Sequence, residues 1–142
     1  MTQQQVPPPT TPYGEPIAAA KKIMAAAEAE ATTNKWGVSI AIVDSGANLL
    51  MLHRLDNAQL ASVRLAEAKA RTAVEFRRPT KALEDAVAGG GIGLRVLTFG
   101  ACLADGGVPI VAGGRIIGAL GVSGAAGHED AQVATAGAAA AQ

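Results

Sequence analysis

The sequence predicts a single α+β domain made of helices and an antiparallel sheet. Segments of helical and of strand character follow one another as helix, hairpin, helix, short helix, loop, hairpin, helix, without the regular alternation of a parallel sheet. A chain of 142 residues is the right length for one domain. Its core must be aliphatic, because 49% of the residues are hydrophobic but only 3% are aromatic.

The first helix is predicted over residues 16–36, since Pro16 suits a first turn and alanine is the strongest helix former. One apolar stripe recurs at helical spacing: Ile17, Ala20, Met24 and Ala27. Residues 37–56 change period and predict a hairpin. Val38, Ile40 and Ile42 alternate with smaller residues, and "DSGAN" supplies turn chemistry before a second extended run.

The second helix is predicted over residues 58–76, with three stripes. Leu60, Val63, Ala70 and Val74 form an apolar stripe, which we expect to face the core. Arg64, Ala68, Arg71 and Glu75 form a solvated stripe, and Ser62, Leu65, Lys69, Thr72 and Phe76 form a mixed one between them. Thr80 is a candidate cap for a short helix over residues 81–89. Two interpretations stay open for residues 89–105, an ordered loop or a flexible lid.

The glycine-rich run over residues 106–124 is predicted to be a second hairpin rather than a phosphate site. Neither a Walker-type loop nor a G-x-G-x-x-G fingerprint fits it. Gly113-Gly114 instead suits a two-residue turn. Gly118 and Gly121 lie within a strand, where they predict the close approach of a helix, a second subunit or a ligand. A last helix is predicted from about Gly127.

Composition excludes several classes of function. Twelve basic residues balance twelve acidic ones and are scattered, which disfavours nucleic-acid binding. Cys102 is the sole cysteine, so an internal disulfide is excluded and a buried thiol is expected. Residues 1–16 are proline-rich and predict a flexible leader without signal-peptide features. Because no apolar run is long enough for a membrane helix, we expect a cytoplasmic protein without membrane contact.

Two paired motifs resemble those of the GlcG/HbpS family, which includes the C-terminal domain of PduO-type proteins. "VDSG" with "HRLD" forms the first pair, and "GGVPI" with "GVSG" forms the second. The resemblance runs from about Ile17 to the C-terminus, so we assign residues 17–142 to a GlcG/HbpS-like domain. It implies a profilin-like fold, homo-oligomers from dimers to octamers, and haem or a related tetrapyrrole as ligand, in a family associated with catabolism.

His53 is the candidate haem ligand, because haem iron accepts an axial imidazole and the adjacent Arg54 could pair with a propionate. The alternative that His53 is a half-exposed strand histidine without a ligand stays open. The remaining residues expected near this tetrapyrrole pocket are Thr72, Phe76, Gly106, Gly107, Val108, Pro109 and Ile110. The glycine pair could offer backbone N–H groups to a carboxylate. His128 is expected only to begin the last helix, where Glu129 and Asp130 complement the helix dipole.

A second hypothesis is a cofactor-free isomerase, lyase or hydratase acting on a small carboxylate or carbonyl metabolite. It requires Asp44, Arg54, Asp56 and Lys69 to converge, with Lys69 or Asp44 as base and Arg54 as anchor. Two structural alternatives stay open. Lys69 could form a salt bridge with an aspartate, and Asp44 could be a turn residue that binds its own backbone.

Overall fold

The computed structural model describes residues 16–141, with side chains from residue 18. It contains four α-helices, namely α1 (Pro16–Thr33), α2 (Ala61–Phe76), α3 (Thr80–Ala88) and α4 (Gly127–Ala139), and a 3₁₀ helix over Gly91–Thr98. Four strands complete it, namely β1 (Ser39–Asp44), β2 (Leu49–Arg54), β3 (Gly107–Ala112) and β4 (Arg115–Ser123). Residues 1–15 of the predicted leader and the side chain of Ile17 lie outside the described residues, and Pro16, the last residue of that leader, begins α1.

The four strands form one antiparallel sheet in the order β2-β1-β4-β3. Each predicted hairpin is therefore an outer pair, and the two hairpins join through β1 and β4. Ser39 lies opposite Ser123 and Asp44 opposite Gly118 in this central pair. The α+β fold with helices around an antiparallel sheet is confirmed. Within the described part of the chain, no helix combines the length and hydropathy needed to cross a membrane.

Helices cover both faces of the sheet. The larger β1 side chains, Ile40 and Ile42, pack with Leu120 against α1 and α4. The smaller residues between them, such as Ala41, pack with Ala119 against α2. The alternation of larger and smaller residues that predicted β1 therefore gives the sheet one face with large side chains and one face where a helix backbone comes close.

The orientation predicted for α2 is wrong in part. Leu60 precedes the helix and is 85% exposed, and Val63 is only half-buried, whereas Ala70 and Val74 are buried as expected. The buried residues of α2 are small or polar: Ser62, Ala66, Lys69, Ala70, Thr72, Ala73 and Val74. A Cβ on Gly121 of β4 would lie 2.1 Å from the Ala66 carbonyl oxygen, so this helix packs too closely for large side chains. A helix accounts for that glycine.

The second hairpin has the predicted turn, with positive φ angles of 58° at Gly113 and 74° at Gly114. Gly118 adjoins a bulge, where Ile110 pairs with Gly118 but Val111 pairs with Ile116. A Cβ on Gly118 would lie 2.2 Å from the Val43 carbonyl oxygen, so the neighbouring strand makes the close approach there.

Thr80 does not cap α3, which has Pro79 at its N-cap position and no side-chain cap hydrogen bond. The Thr80 hydroxyl instead accepts a hydrogen bond from the Gly107 N–H at 2.9 Å, and so it ties α3 to β3. The open segment 89–105 contains the 3₁₀ helix and then irregular chain as far as β3.

Candidate functional site

The predicted cluster of Asp44, Arg54, Asp56 and Lys69 does not form. Arg54 lies opposite Ser39 at one end of the first hairpin, whereas Asp44 lies at the other end of β1. Five steps along the strand, from Ser39 to Asp44, separate the two ends by about 17 Å. Asp56 follows β2 on the Arg54 end and is exposed. The enzyme hypothesis therefore loses the convergence on which it depended.

Asp44 has the turn role that the sequence left open. Its Oδ1 accepts hydrogen bonds from the Gly46 and Asn48 N–H groups, both at 2.9 Å. Its Oδ2 has a longer contact of 3.4 Å with the Asn48 side-chain amide. The first oxygen thus organises the hairpin turn, and the second has acceptor capacity left.

Lys69 is buried on the inner side of α2 and pairs with Asp130 of α4. Its Nζ donates to Asp130 Oδ2 at 3.1 Å and to the Val122 carbonyl at 2.9 Å. The two charged side chains are only 4% and 3% exposed. The salt-bridge interpretation of Lys69 is confirmed, and the pair joins two helices through the end of β4.

Asp130 was expected only to complement the dipole of the last helix, but its side chain is buried. Its Oδ1 accepts a hydrogen bond from the Ala125 N–H at 2.9 Å. Burial raises the pKa of its carboxyl, although the Ala125 N–H and the charge of Lys69 act to lower it. Because both oxygens are engaged, the pair is a structural link rather than a substrate site. In the sequence, this ion pair is indicated only by Lys69, a lysine on the mixed stripe of α2.

The glycine pair at the start of β3, Gly106 and Gly107, is buried and does not offer the expected carboxylate site. The Gly107 N–H donates to Thr80, and a Cβ on Gly107 would lie 2.4 Å from the Lys69 carbonyl oxygen. In Asp105, the residue before this pair, burial and the charge of Glu84 raise the pKa of the buried carboxyl. Packing against α2 and α3 explains Gly107, whereas a Cβ on Gly106 would lie 2.5 Å from the Val122 carbonyl oxygen of β4.

Thr72 and Phe76 lie on the α2 side of the sheet. The Thr72 hydroxyl donates to the Ala68 carbonyl at 2.8 Å and accepts from the Cys102 N–H at 2.9 Å. Cys102 is half-buried rather than fully buried. The Phe76 ring stacks on Phe99, with ring centroids 6.0 Å apart and planes 11° from parallel. These contacts fix the segment after the 3₁₀ helix onto α2.

His53 is an exposed imidazole on the edge strand β2. It lies opposite Ile40 and therefore points to the face that carries α1. Its Nδ1 pairs with the Glu28 carboxylate of α1, and its side chain is 45% exposed. No hydrogen bond engages Nε2 within the described part of the chain. His128, by comparison, is exposed in the first turn of α4, as expected.

The residues predicted to form one tetrapyrrole pocket are distributed over three places. Arg54 follows His53 in the strand and points to the opposite face, where its pair residue Ser39 bonds Ser62 of α2. Phe76 is on α2. The residues of 106–110 belong to β3 or directly precede it, at the far edge, three strand spacings or about 14 Å from β2. The prediction that all these residues line a single pocket is therefore wrong within one chain.

A shallow cleft lies between the end of α1 and the residues that follow β2. It has a volume of about 370 Å³ and is lined by Thr32, Lys35, Trp36, Gly37, Leu55, Asp56 and Asn57. Thr32 is one turn along α1 from Glu28, and Leu55 is two residues along the chain from His53. The imidazole and the cleft are thus neighbours.

A separate cavity of about 240 Å³ lies between α1 and the turn of the first hairpin. Its walls are mostly aliphatic, and its polar residues are Asp44, Ser45 and Asn48. Among the residues that the structure describes, no group of three or more His, Cys, Asp or Glu side chains could hold a metal ion.

Comparison with known proteins gives consistent results. A family model described as "Haem degrading protein HbpS-like" matches residues 16–139. "Protein GlcG" of Escherichia coli strain K12 is 46% identical over 104 residues, covering 73% of this chain and 77% of that protein. The fold matches a crystal structure of HbpS with a TM-score of 0.79 and 34% identity, covering 98% of this chain and 96% of that one.

A second solved structure bears on ligands. The crystal structure titled "PduOC:Heme Complex" matches with a TM-score of 0.78 and 31% identity, and the match covers 87% of this chain and 91% of that chain.

Proposed function

This chain belongs to the HbpS-like family, and from that premise we propose that it binds haem with His53 as the axial ligand. The complex of PduOC with haem supports the ligand. The single observation that supports the residue is the Glu28–His53 pair. Histidines that bind metals almost always donate their second ring N–H to a carboxylate, a backbone carbonyl or water, which fixes the ring and leaves the other nitrogen for the metal.

The donor atoms around His53 fit an iron porphyrin. With Nδ1 held by Glu28, Nε2 is the atom that would bind iron. Bound haem would supply the redox-active iron, whereas the chain supplies the ligand, the carboxylate behind it and the surface for the macrocycle. The adjoining cleft offers the half-buried apolar side chains of Trp36 and Leu55.

Lys35 replaces Arg54 as the proposed propionate partner. Lys35 is exposed and lines the cleft, whereas Arg54 points to the face opposite His53. An exposed pair of ammonium and carboxylate contributes modestly to the free energy of binding. We therefore expect Lys35→Ala to weaken haem binding by about two- to fivefold without changing the absorbance spectrum of the bound haem.

Absorbance titration with haemin tests the ligation. We expect a Soret shift in the wild-type protein that His53→Ala abolishes. His128→Ala is the matched control, because it removes the other histidine, which lies at an exposed helix start. Glu28→Gln should weaken binding by about 10-fold or more, since the carboxylate no longer orients the ring. A Soret shift that His53→Ala leaves unchanged would show that another residue binds the iron.

A further inference from the structure

The cavity between α1 and the first hairpin has the features of a second small-molecule site. Asp44, Ile40 and Ile42 alternate along β1 and so share the face that carries α1. Ala20 and Ile23 of α1 form the opposite wall, and Leu50 of β2 lies at the side. The cavity therefore has an aliphatic interior with a carboxylate at the turn.

The size of the cavity limits its occupant. A volume of about 240 Å³ corresponds to roughly eight waters at ~30 Å³ each. A ligand of about six to eight non-hydrogen atoms would fill it, far fewer than a porphyrin contains. The cavity and the proposed haem surface are thus suited to different ligands.

The Asp44 carboxylate determines which polar group a ligand of this cavity would carry. Asp44 Oδ2 has only the 3.4 Å contact with Asn48, because the turn N–H groups bind Oδ1. Among the described residues, no lysine, arginine or histidine nitrogen forms a salt bridge with Asp44. A carboxylate with an open oxygen beside an apolar cavity is matched by an ammonium group on a short hydrocarbon.

We propose that this cavity binds a small primary amine, whose hydrocarbon part lies among the aliphatic walls and whose ammonium group pairs with Asp44. The assignment depends on the aliphatic cavity and on the unpaired carboxylate oxygen together. It is independent of His53, which does not line the cavity. The amine site and haem binding can therefore succeed or fail separately.

Benzylamine, benzyl alcohol and benzoate provide positive, neutral and negative probes of similar size. Each would be titrated into the full-length ¹⁵N-labelled protein, with the backbone amides of Gly46 and Asn48 as reporters. We expect benzylamine to bind about five- to tenfold more tightly than benzyl alcohol, and benzoate to bind least. Equal affinities for the three probes, or no saturable shifts at these amides with benzylamine, would overturn the proposal.

Two variants separate the charge from the cavity. Asp44→Asn keeps an oxygen for the turn N–H groups but removes the charge, so benzylamine affinity should fall to that of benzyl alcohol. Ala19→Leu should abolish binding of both probes, because the half-buried Ala19 lines the cavity. Ala18→Leu is its matched control, since Ala18 is exposed and does not line it. Unchanged benzylamine binding in Ala19→Leu would place the ligand elsewhere.

Discussion

Replacing Lys69 by Met tests whether the buried ion pair links the two helical layers. The substitution keeps most of the length of the side chain but leaves the Asp130 carboxylate buried without its cation. Removing one partner of a buried pair usually costs about 3–5 kcal/mol. We expect the lower end, about 3 kcal/mol, because Asp130 keeps its hydrogen bond from the Ala125 N–H. That loss is a large part of the ~5–15 kcal/mol that stabilises a typical domain.

The pH dependence distinguishes a buried charge from a lost packing contact. Burial already raises the pKa of Asp130, and loss of Lys69 removes a charge that lowers it. The pKa of Asp130 in the folded variant should therefore lie further above its ordinary value of 3.8 than in the wild-type protein. Between the ordinary pKa and this raised pKa the folded chain binds the proton and the unfolded chain does not. The stability of the variant then rises as the pH falls through that range. The deficit relative to wild type should be smaller at pH 5 than at pH 7.

Urea unfolding followed by circular dichroism at both pH values measures these differences. Arg71→Met is the matched control on the same helix, because its pair with Glu67 is 3.6 Å long and exposed, and we expect a cost below about 1 kcal/mol. Adding Asp130→Asn to Lys69→Met should recover part of the loss at pH 7, since no buried charge is left. A deficit that is independent of pH and is not relieved by the second substitution would refute the reasoning.

Two further predictions concern the other buried groups. Burial and the charge of Glu84 raise the pKa of Asp105, so the protonated carboxyl is favoured in the folded state and this stabilisation is lost as the pH rises through the raised pKa. Asp105→Asn removes the buried charge and should therefore raise the melting temperature by about 1–3 °C at pH 7 but not at pH 4. An equal effect at both pH values would contradict this cause. Gly121→Ala should cost about 3 kcal/mol or more by urea unfolding, because its Cβ would meet the α2 backbone. Gly89→Ala, with 3.5 Å to its nearest neighbour, should cost little, and similar losses in both variants would rule out the steric explanation.

Local patterns in the sequence were sufficient for the order of elements and the turns. The two-residue turn at Gly113 and the first hairpin depend on neighbouring residues, and both are confirmed. Which side of α2 packs on the sheet could not be predicted in the same way. Its close packing on Gly121 favours small residues at the interface, so the largest apolar side chains of the helix are not its most buried ones.

The candidate site shows the same limit. His53 could be singled out because its chemistry and its strand are local properties, and the haem role stays a prediction. Its contact with Glu28 depends on how α1 crosses the sheet, and the Lys69–Asp130 pair depends on the meeting of α2 and α4. The separation of Asp44 from Arg54 follows from antiparallel pairing of β1 with β2, which the hairpin prediction already contained. Oligomerisation, which the family resemblance implies, also stays a prediction.

The order of the strands has a consequence for how the chain folds. Both outer pairs are hairpins, which close quickly because their strands are adjacent in the chain. The central pair of β1 and β4 instead joins residues from opposite halves of the sequence, such as Ser39 and Ser123. Loop-closure entropy opposes that step until α2, which contacts both strands, can pack. We therefore expect docking of the two hairpins to limit the rate of folding.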